Sequence, residues 1–213
     1  MKIIASDLAV RRGEEFLFMN VSFNLTDGEA LILKGRNGSG KSTLLRTIAG
    51  LVRPELGTIA LSGDGLDEYV TVAEVCHYLG HKNAMKNELT VDENLTFWKR
   101  FLGDFDQKNS ISTIEAAERL GLGTILHLPY GYLSAGQQRR MAMAKLLCAY
   151  RPIWILDEPT SALDINADAL FVSLLNEHLS QGGIVLAATH QPLGLINARE
   201  LHLNGFGTEA MFQ

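Results

Sequence analysis

Residues 35–43 read GRNGSGKST and constrain the fold more than any other stretch of this chain. They satisfy the pattern G-x-x-x-x-G-K-[ST], with Gly35, Gly40, Lys41 and Ser42 at its fixed positions. An apolar run at 30–33 precedes them, so the local order is buried strand, loop, helix. Glycines let such a loop turn its backbone N–H groups inward around phosphate oxygens, and the helix that begins near Lys41 aims its positive dipole end at the same anion. Arg36, Asn37, Gly38 and Ser39 supply the intervening backbone, and Thr43 follows in the first helical turn. In this arrangement the lysine reaches the β- and γ-phosphates and the serine hydroxyl ligates Mg²⁺. The bland reading, a glycine-rich turn ahead of an ordinary helix, has to be excluded by other motifs.

A chain of 213 residues, 46% hydrophobic and 20% charged, suits one large globular domain or two small ones. Its formal net charge of −5 argues against a general nucleic-acid binder, which needs a basic surface to displace counterions. The two cysteines, Cys76 and Cys148, each stand alone among apolar neighbours, a pattern of buried thiols in a reducing compartment. No apolar run approaches the length of a membrane span, and the first residues turn charged at Arg11 and Arg12, too soon for a secretory signal. Any membrane involvement is therefore expected to come through another chain.

Before the loop, short β-like runs at 2–5, 16–19, 21–25 and 30–33 suggest an antiparallel β-layer. After it, Leu44, Leu45, Ile48 and Leu51 recur at helical spacing until Pro54, and short strands are expected at 58–61 and 76–79, around a turn-rich stretch at 62–68. From 82 to 150 the texture is helical. T-x-x-E at 90–93 opens a helix carrying Leu95, Trp98, Phe101 and Leu102, a polar loop spans 103–109, a helix follows at 111–120, and a long one runs from about 134 to 150. Strand-like sequence resumes at 153–156 and ends in Asp157 and Glu158. A helix at 165–180, with Asp164 as cap and Leu170, Leu174 and Leu175 inward, leads to a strand at 184–188 that ends at Thr189 and His190, and a last short strand is expected at 200–204. The expected organisation is a single nucleotide-binding domain over 1–213, built from 1–81 and 151–213 and interrupted by a helical subdomain at 82–150.

Carboxylates at the end of a buried strand stand where an α/β sheet presents its chemistry. Asp157 is positioned to share the Mg²⁺ shell with Ser42, and Glu158 to polarise an attacking water. His190, at the end of another buried strand, can reach the same γ-phosphate. One further motif, LSAGQQRR at 133–140, completes an ordered set.

With that set the chain resembles the ATP-binding-cassette ATPases over essentially its whole length: phosphate loop, signature at 133–137, strand and acids at 153–158, D-loop at 161–164, switch His190. The resemblance implies an α/β P-loop NTPase core with an antiparallel β-layer and a helical subdomain insert, and ATP and Mg²⁺ as ligands. It also implies a head-to-tail homodimer in which Ser134, Gly136 and Gln137 of one copy meet the γ-phosphate held by the other. Catalysis would fall to Glu158, His190 and Lys41. Two positions depart from the family pattern. Lys82 stands where the family usually has a metal-sensing glutamine, and a cation cannot ligate Mg²⁺; it either neutralises phosphate charge or only couples to a partner. Near Arg12 the family usually has an aromatic that stacks on adenine, so either the Arg12 guanidinium or Phe16 takes that place.

Within the family, the extended signature, the run THQPL at 189–193 and the segment GHKNAMKNELTVDENL at 80–95 are similar to the ATP-binding subunits of bacterial haem exporters for cytochrome c maturation. This implies integral-membrane partners of the haem-export system and a peripheral site on the cytoplasmic face of the inner membrane. The ATPase subunit of a drug or lipid exporter would share every catalytic residue. A soluble cassette protein acting on ribosomes or DNA usually carries two cassettes or a long coiled coil, and this chain has neither.

Overall fold

Strand β1 (Lys2–Arg12) and strand β2 (Glu15–Thr26) form a long antiparallel hairpin, registered from Lys2↔Thr26 to Arg12↔Glu15 across a two-residue turn with Gly13 at φ 66°. The computed structural model describes residues 1–63, 66, 70–103, 105, 110–195, 197–205 and 211–212. Both strands run longer than the apolar runs in the sequence. Asp7 (φ 49°) and Asn20 (φ 54°) sit in left-handed conformations where the pairing shifts register, and the Asp7 N–H donates to Ser22 Oγ at 2.8 Å. Bulges of this kind break the alternation without ending the strand. The expected turn at 62–68 and loop at 103–109 lie largely outside the described residues.

The described residues divide into two units, Met1–Tyr78 with Pro152–Pro159 and Leu175–Gln213, and Leu79–Arg151 with Thr160–Leu174. In the first, β4 (Leu56–Ser62) joins the hairpin to give a three-stranded layer in the order β2-β1-β4. A six-stranded sheet has the order β5-β6-β7-β3-β8-β9, from β3 (Ala30–Lys34), β5 (Cys76–Leu79), β6 (Ile153–Asp157), β7 (Ile184–Ala188), β8 (Arg199–His202) and β9 (Met211–Phe212). The pairs β3·β7, β3·β8 and β6·β7 are parallel, and every residue of β6 and β7 is buried, the pattern of a sheet covered on both faces. Helix α1 (Lys41–Ile48) follows β3, and its Leu44, Leu45 and Ile48 join Phe18 and Leu25 of the hairpin and Leu31, Ile155 and Leu186 of the sheet in one core. Each such side chain stabilises the fold by roughly 1.5–3 kcal/mol. A short helix α2 (Val72–Val75), closed by a Thr71/Glu74 capping box, leads into β5.

The second unit packs α3 (Val91–Leu102), α4 (Thr113–Arg119) and α5 (Ala135–Cys148). The capping box expected at 90–93 is present: Glu93 N–H donates to Thr90 Oγ1 and Thr90 N–H to Glu93 Oε2. Arg151 donates to the carbonyls of Leu102 and Gly103 and satisfies the other end of α3. Helix α5 is buried nearly all round, with Met141, Ala142, Met143 and Ala144 shielded in succession. Helix α6 (Ile165–Ser180) contributes its first part to this unit and its end to the other; Ala167 N–H donates to Asp164 Oδ1, the expected cap. Leu174 and Leu175 of α6 are buried together with Phe171, while Leu170 is half-buried.

Candidate functional site

Two glycines set the shape of the loop between β3 and α1. A Cβ on Gly35 (φ 143°) would lie 2.3 Å from the Leu203 carbonyl oxygen and 2.7 Å from Ser39 Oγ, and one on Gly40 (φ 98°) would lie 2.9 Å from the Phe18 ring. Both positions exclude every other residue. Gly40 is the N-cap of α1 and no side chain caps the helix, so its first N–H groups are left for an anion. Lys41 is 8% exposed, and its ammonium donates to the Gly35 and Arg36 carbonyls, at 2.7 and 3.2 Å, rather than to a carboxylate. Ser39 Oγ is buried without a hydrogen-bond partner. A shielded cation, an unpaired hydroxyl and uncapped amides in one loop fit a polyphosphate.

The sheet brings its carboxylates to the same place. Ser42 Oγ donates to Asp157 Oδ1 at 2.9 Å. Tyr78 on β5 approaches the other oxygen, Oδ2, at 3.4 Å, and Arg46 Nε on α1 donates to the Tyr78 hydroxyl at 3.3 Å. Burial raises the Tyr78 phenol above its usual range, so it stays protonated and donating, and its hydrogen bond raises Arg46. Glu158 holds a left-handed φ of 47°, rare for a non-glycine residue, while its N–H donates to the Ala188 carbonyl. His190 Nε2 lies 2.8 Å from Asn37 Oδ1 and 3.5 Å from Glu158 Oε1.

A cavity of about 240 Å³ results. The hairpin lines it with Arg12 and Leu17, the loop and helix with Asn37, Gly38, Gly40, Lys41, Ser42 and Thr43, and the strand ends with Asp157, Glu158 and His190. Gly35, Arg36 and Ser39 shape the loop without lining the cavity. Phe16 is not among the lining residues, and the Arg11 guanidinium sits 4.2 Å from its ring centroid. Sequence reasoning missed Tyr78, Arg46 and Leu17, because their roles come from strand order and a bulge rather than from residue spacing.

The signature residues belong to the other unit. Ser134 is the N-cap of α5 in a full capping box: Gln137 N–H donates to Ser134 Oγ, and Ser134 N–H donates to Gln137 Oε1. The Gln137 amide is thus engaged in its own helix, while the Ser134 hydroxyl proton remains available to donate. A Cβ on Gly136 would stand 3.3 Å from the Ala162 carbonyl oxygen, so a bare backbone is favoured there. Arg139, also missed from sequence, is buried and donates to the Gly80 carbonyl and to Asn83 Oδ1, both at 2.9 Å. Asn83 in turn donates to the Tyr130 hydroxyl. This network fixes the segment carrying Lys82, whose side chain is exposed. On α3, Phe97 and Phe101 are exposed and stacked at 5.9 Å, whereas Trp98 is half-buried, donates to the Ala84 carbonyl and lies under the Lys145 ammonium at 4.5 Å. Burial lowers Lys145 to about 8.

The family model described as ABC transporter matches residues 18–161. The cytochrome c biogenesis ATP-binding export protein CcmA of Agrobacterium fabrum is 65% identical over 206 residues, covering 97% of each chain. The protein of the same name from Brucella melitensis is 48% identical, covering 96% of this chain and 93% of the relative. Among solved structures, a dimeric bacterial ABC transporter cassette matches with a TM-score of 0.78 at 26% identity, over 95% of this chain and 94% of that one. A post-hydrolysis state of that cassette bound to ADP and Pi matches with a TM-score of 0.76 at 25% identity and the same coverage.

Proposed function

The chain belongs to the ABC transporter family, and on that footing we propose that it is the ATP-hydrolysing subunit of the exporter that serves cytochrome c maturation by moving haem. The observation that carries the catalytic part is the cavity where Lys41, Ser42, Asp157, Glu158 and His190 meet. The relatives named as cytochrome c biogenesis export proteins carry the rest. The whole of 1–213 then acts as one ATPase domain, with 82–150 as its helical insert.

ATP binds with its phosphates against the loop amides and the Lys41 ammonium, which exchanges two loop carbonyls for phosphate oxygens. Ser42 Oγ and Asp157 Oδ1 would hold Mg²⁺, which when bound supplies positive charge against the phosphate oxygens. Two protein oxygens suit an ion that fills its shell with phosphate and water. No group of three His, Cys, Asp or Glu side chains able to form an all-protein metal cage occurs among the described residues. The Glu158 carboxylate takes a proton from the attacking water, and His190, held by Asn37, orients the γ-phosphate end of the site.

Two copies enclose two nucleotides, each against the phosphate loop of one chain and the Ser134 and Gly136 signature of the other; the dimeric relatives support this arrangement. No helix among the described residues is long and apolar enough to cross a membrane. In this reading the path across the inner membrane belongs to partner subunits, and this chain works from the cytoplasmic face.

The test is a strain lacking this gene. It should grow fermentatively but lack covalently haem-loaded periplasmic c-type cytochromes, as read by haem staining. The intact gene should restore them. The Glu158→Gln gene should not, since loss of a general base slows hydrolysis by about 10²–10⁴-fold. Normal c-type cytochromes in the deletion strain, with no second copy of the gene, would sink the haem assignment and leave the ATPase reading standing.

A further inference from the structure

One amide touches the chain on both sides of the signature. Asn83 Oδ1 accepts a hydrogen bond at 2.9 Å from Arg139, just after the motif, and Asn83 Nδ2 donates at 3.0 Å to the hydroxyl of Tyr130, just before it. A guanidinium has no acceptor, so the oxygen must face Arg139 and the amide has only this orientation. The same Arg139 nitrogen also donates to the Gly80 carbonyl at 2.9 Å, and Arg139 is 3% exposed. Gly80 lies just past the end of β5, the strand that carries Tyr78. The stretch gripped in this way is strained. Ala84 holds a left-handed φ of 56°, while its carbonyl accepts from Trp98 Nε1 on α3 at 2.9 Å. Such a backbone persists where its neighbours over-determine it, and it concentrates at sites of function. Here α5 supplies one hold through Arg139 and α3 the other through Trp98, with Lys82 exposed between them.

We propose that Arg139 and Asn83 are positioning residues for ATP hydrolysis: their contact sets where the start of α5 stands, and so whether Ser134 and Gly136 can meet a γ-phosphate. The proposal rests on the signature serving the γ-phosphate of a second copy and adds the residues that hold it in place. Neither residue lines the phosphate cavity. The capping box fixes Ser134 only with respect to Gln137 of the same helix, and so gives the signature no external reference. Asn83 provides that reference, because it binds the chain before the motif and after it. Tyr130 is itself a fixed point: its N–H donates to the Leu89 carbonyl at 2.9 Å, and its carbonyl accepts from Gln138 Nε2 at 3.2 Å. Both acceptors of the Arg139 nitrogen are neutral, so these two bonds supply direction rather than an ion pair. Direction is what a group that must meet a reacting phosphate needs, since a misplacement of about 1 Å can slow a reaction about 10²-fold.

The test uses the full chain with Mg²⁺ and reads two quantities: ATP turnover at saturation, and equilibrium binding of ADP, which lacks the γ-phosphate that the signature meets. Arg139→Met should lower turnover by about 10- to 100-fold and leave ADP affinity within about twofold of wild type. Asn83→Leu should do the same. The double variant should be no slower than the slower single one, because both changes remove one contact. Arg139→Lys should recover turnover to within about fivefold of wild type, since an ammonium can donate to both acceptors. Should Arg139→Met fail to fold, Asn83→Ala, which leaves the guanidinium its Gly80 acceptor, reads the same contact. Unchanged turnover in the variants of both residues overturns the proposal. So does an ADP affinity that falls in step with turnover, which is the mark of general damage to the fold. A double variant slowed by the product of the single effects, or Arg139→Lys as slow as Arg139→Met, overturns it as well. A wild-type chain that binds no ADP would instead overturn the nucleotide site itself.

Discussion

At Asp157 one carboxylate is shared between two tasks, and the geometry shows how they are kept apart. Oδ1 receives the Ser42 hydroxyl, while Oδ2 is approached by Tyr78, itself polarised by Arg46. A group that orients a metal ligand without touching the metal typically changes metal affinity 10–100-fold when removed. The Tyr78 contact is long, so its loss is expected at the low end. Tyr78→Phe should raise the Mg²⁺ concentration for half-maximal ATP hydrolysis by about tenfold, with metal-free nucleotide binding unchanged. An unaltered Mg²⁺ titration would reduce Tyr78 to packing. The residues at either end of this chain of contacts differ in how openly the sequence declares them. Ser42 and Asp157 stand in motifs whose spacing is itself the chemistry. Tyr78 becomes visible only once β5 lies beside β6, and Leu17 only once a bulge has turned it; neither position has a sequence signature. The resemblance of LSAGQ to the family signature implies Gln137 as a nucleotide contact, whereas its amide also closes the capping box of its own helix.

Among the elements, the end of α6 carries a titration that the phosphate chemistry does not use. His178 is buried, stacked on Trp154 at 4.0 Å with an 11° interplanar angle, and its Nε2 lies 3.2 Å from the Pro152 carbonyl. A Cβ on Gly183 would sit 2.2 Å from the ring, so the turn after α6 admits the imidazole only because it is glycine. Burial lowers the folded-state pKa of His178 to about 4 from an ordinary value of 6.5. The folded state therefore binds this proton less readily than the unfolded chain. Stability from this group is complete above pH 6.5 and is lost as the pH falls towards 4. The full window corresponds to on the order of 3 kcal/mol. Urea unfolding at pH 7 and at pH 4.5 should reveal most of it, and His178→Phe, which stacks but does not titrate, should flatten the difference. An equal pH slope in both proteins would assign the acid sensitivity elsewhere. The elements themselves follow the sequence where one pattern dominates, the continuous apolar runs of β6 and β7 or the helical period of α3. They escape it where α2 is one turn long, and where Asp7 and Asn20 interrupt a strand that continues.

For the whole molecule, the ordered motifs identify the family because each is a local solution to phosphate chemistry, yet their joint use is not a local property. Lys41 and Asp157 meet in one unit, while Ser134 and Gly136 belong to the other. The proposed dimer makes the signature of one chain serve the loop of the next, and this can be separated from service within a single chain. Lys41→Ala removes the cation facing the phosphates. Gly136→Asp sets a carboxylate against them, and like charges at contact repel strongly in a water-poor interface. Each variant alone should hydrolyse little ATP. In a heterodimer of the two, one site combines both lesions and the other combines an intact loop with an intact signature. Random mixing puts half the dimers in this class with one site each, so about a quarter of wild-type activity should return if sites act independently. Were the signature to serve its own chain, every site in the mixture would carry a lesion and nothing would return. Mixing titrations of the purified variants, read as ATP turnover against variant ratio, decide between the two: a maximum at equal amounts supports the shared site, and a flat line near zero removes it.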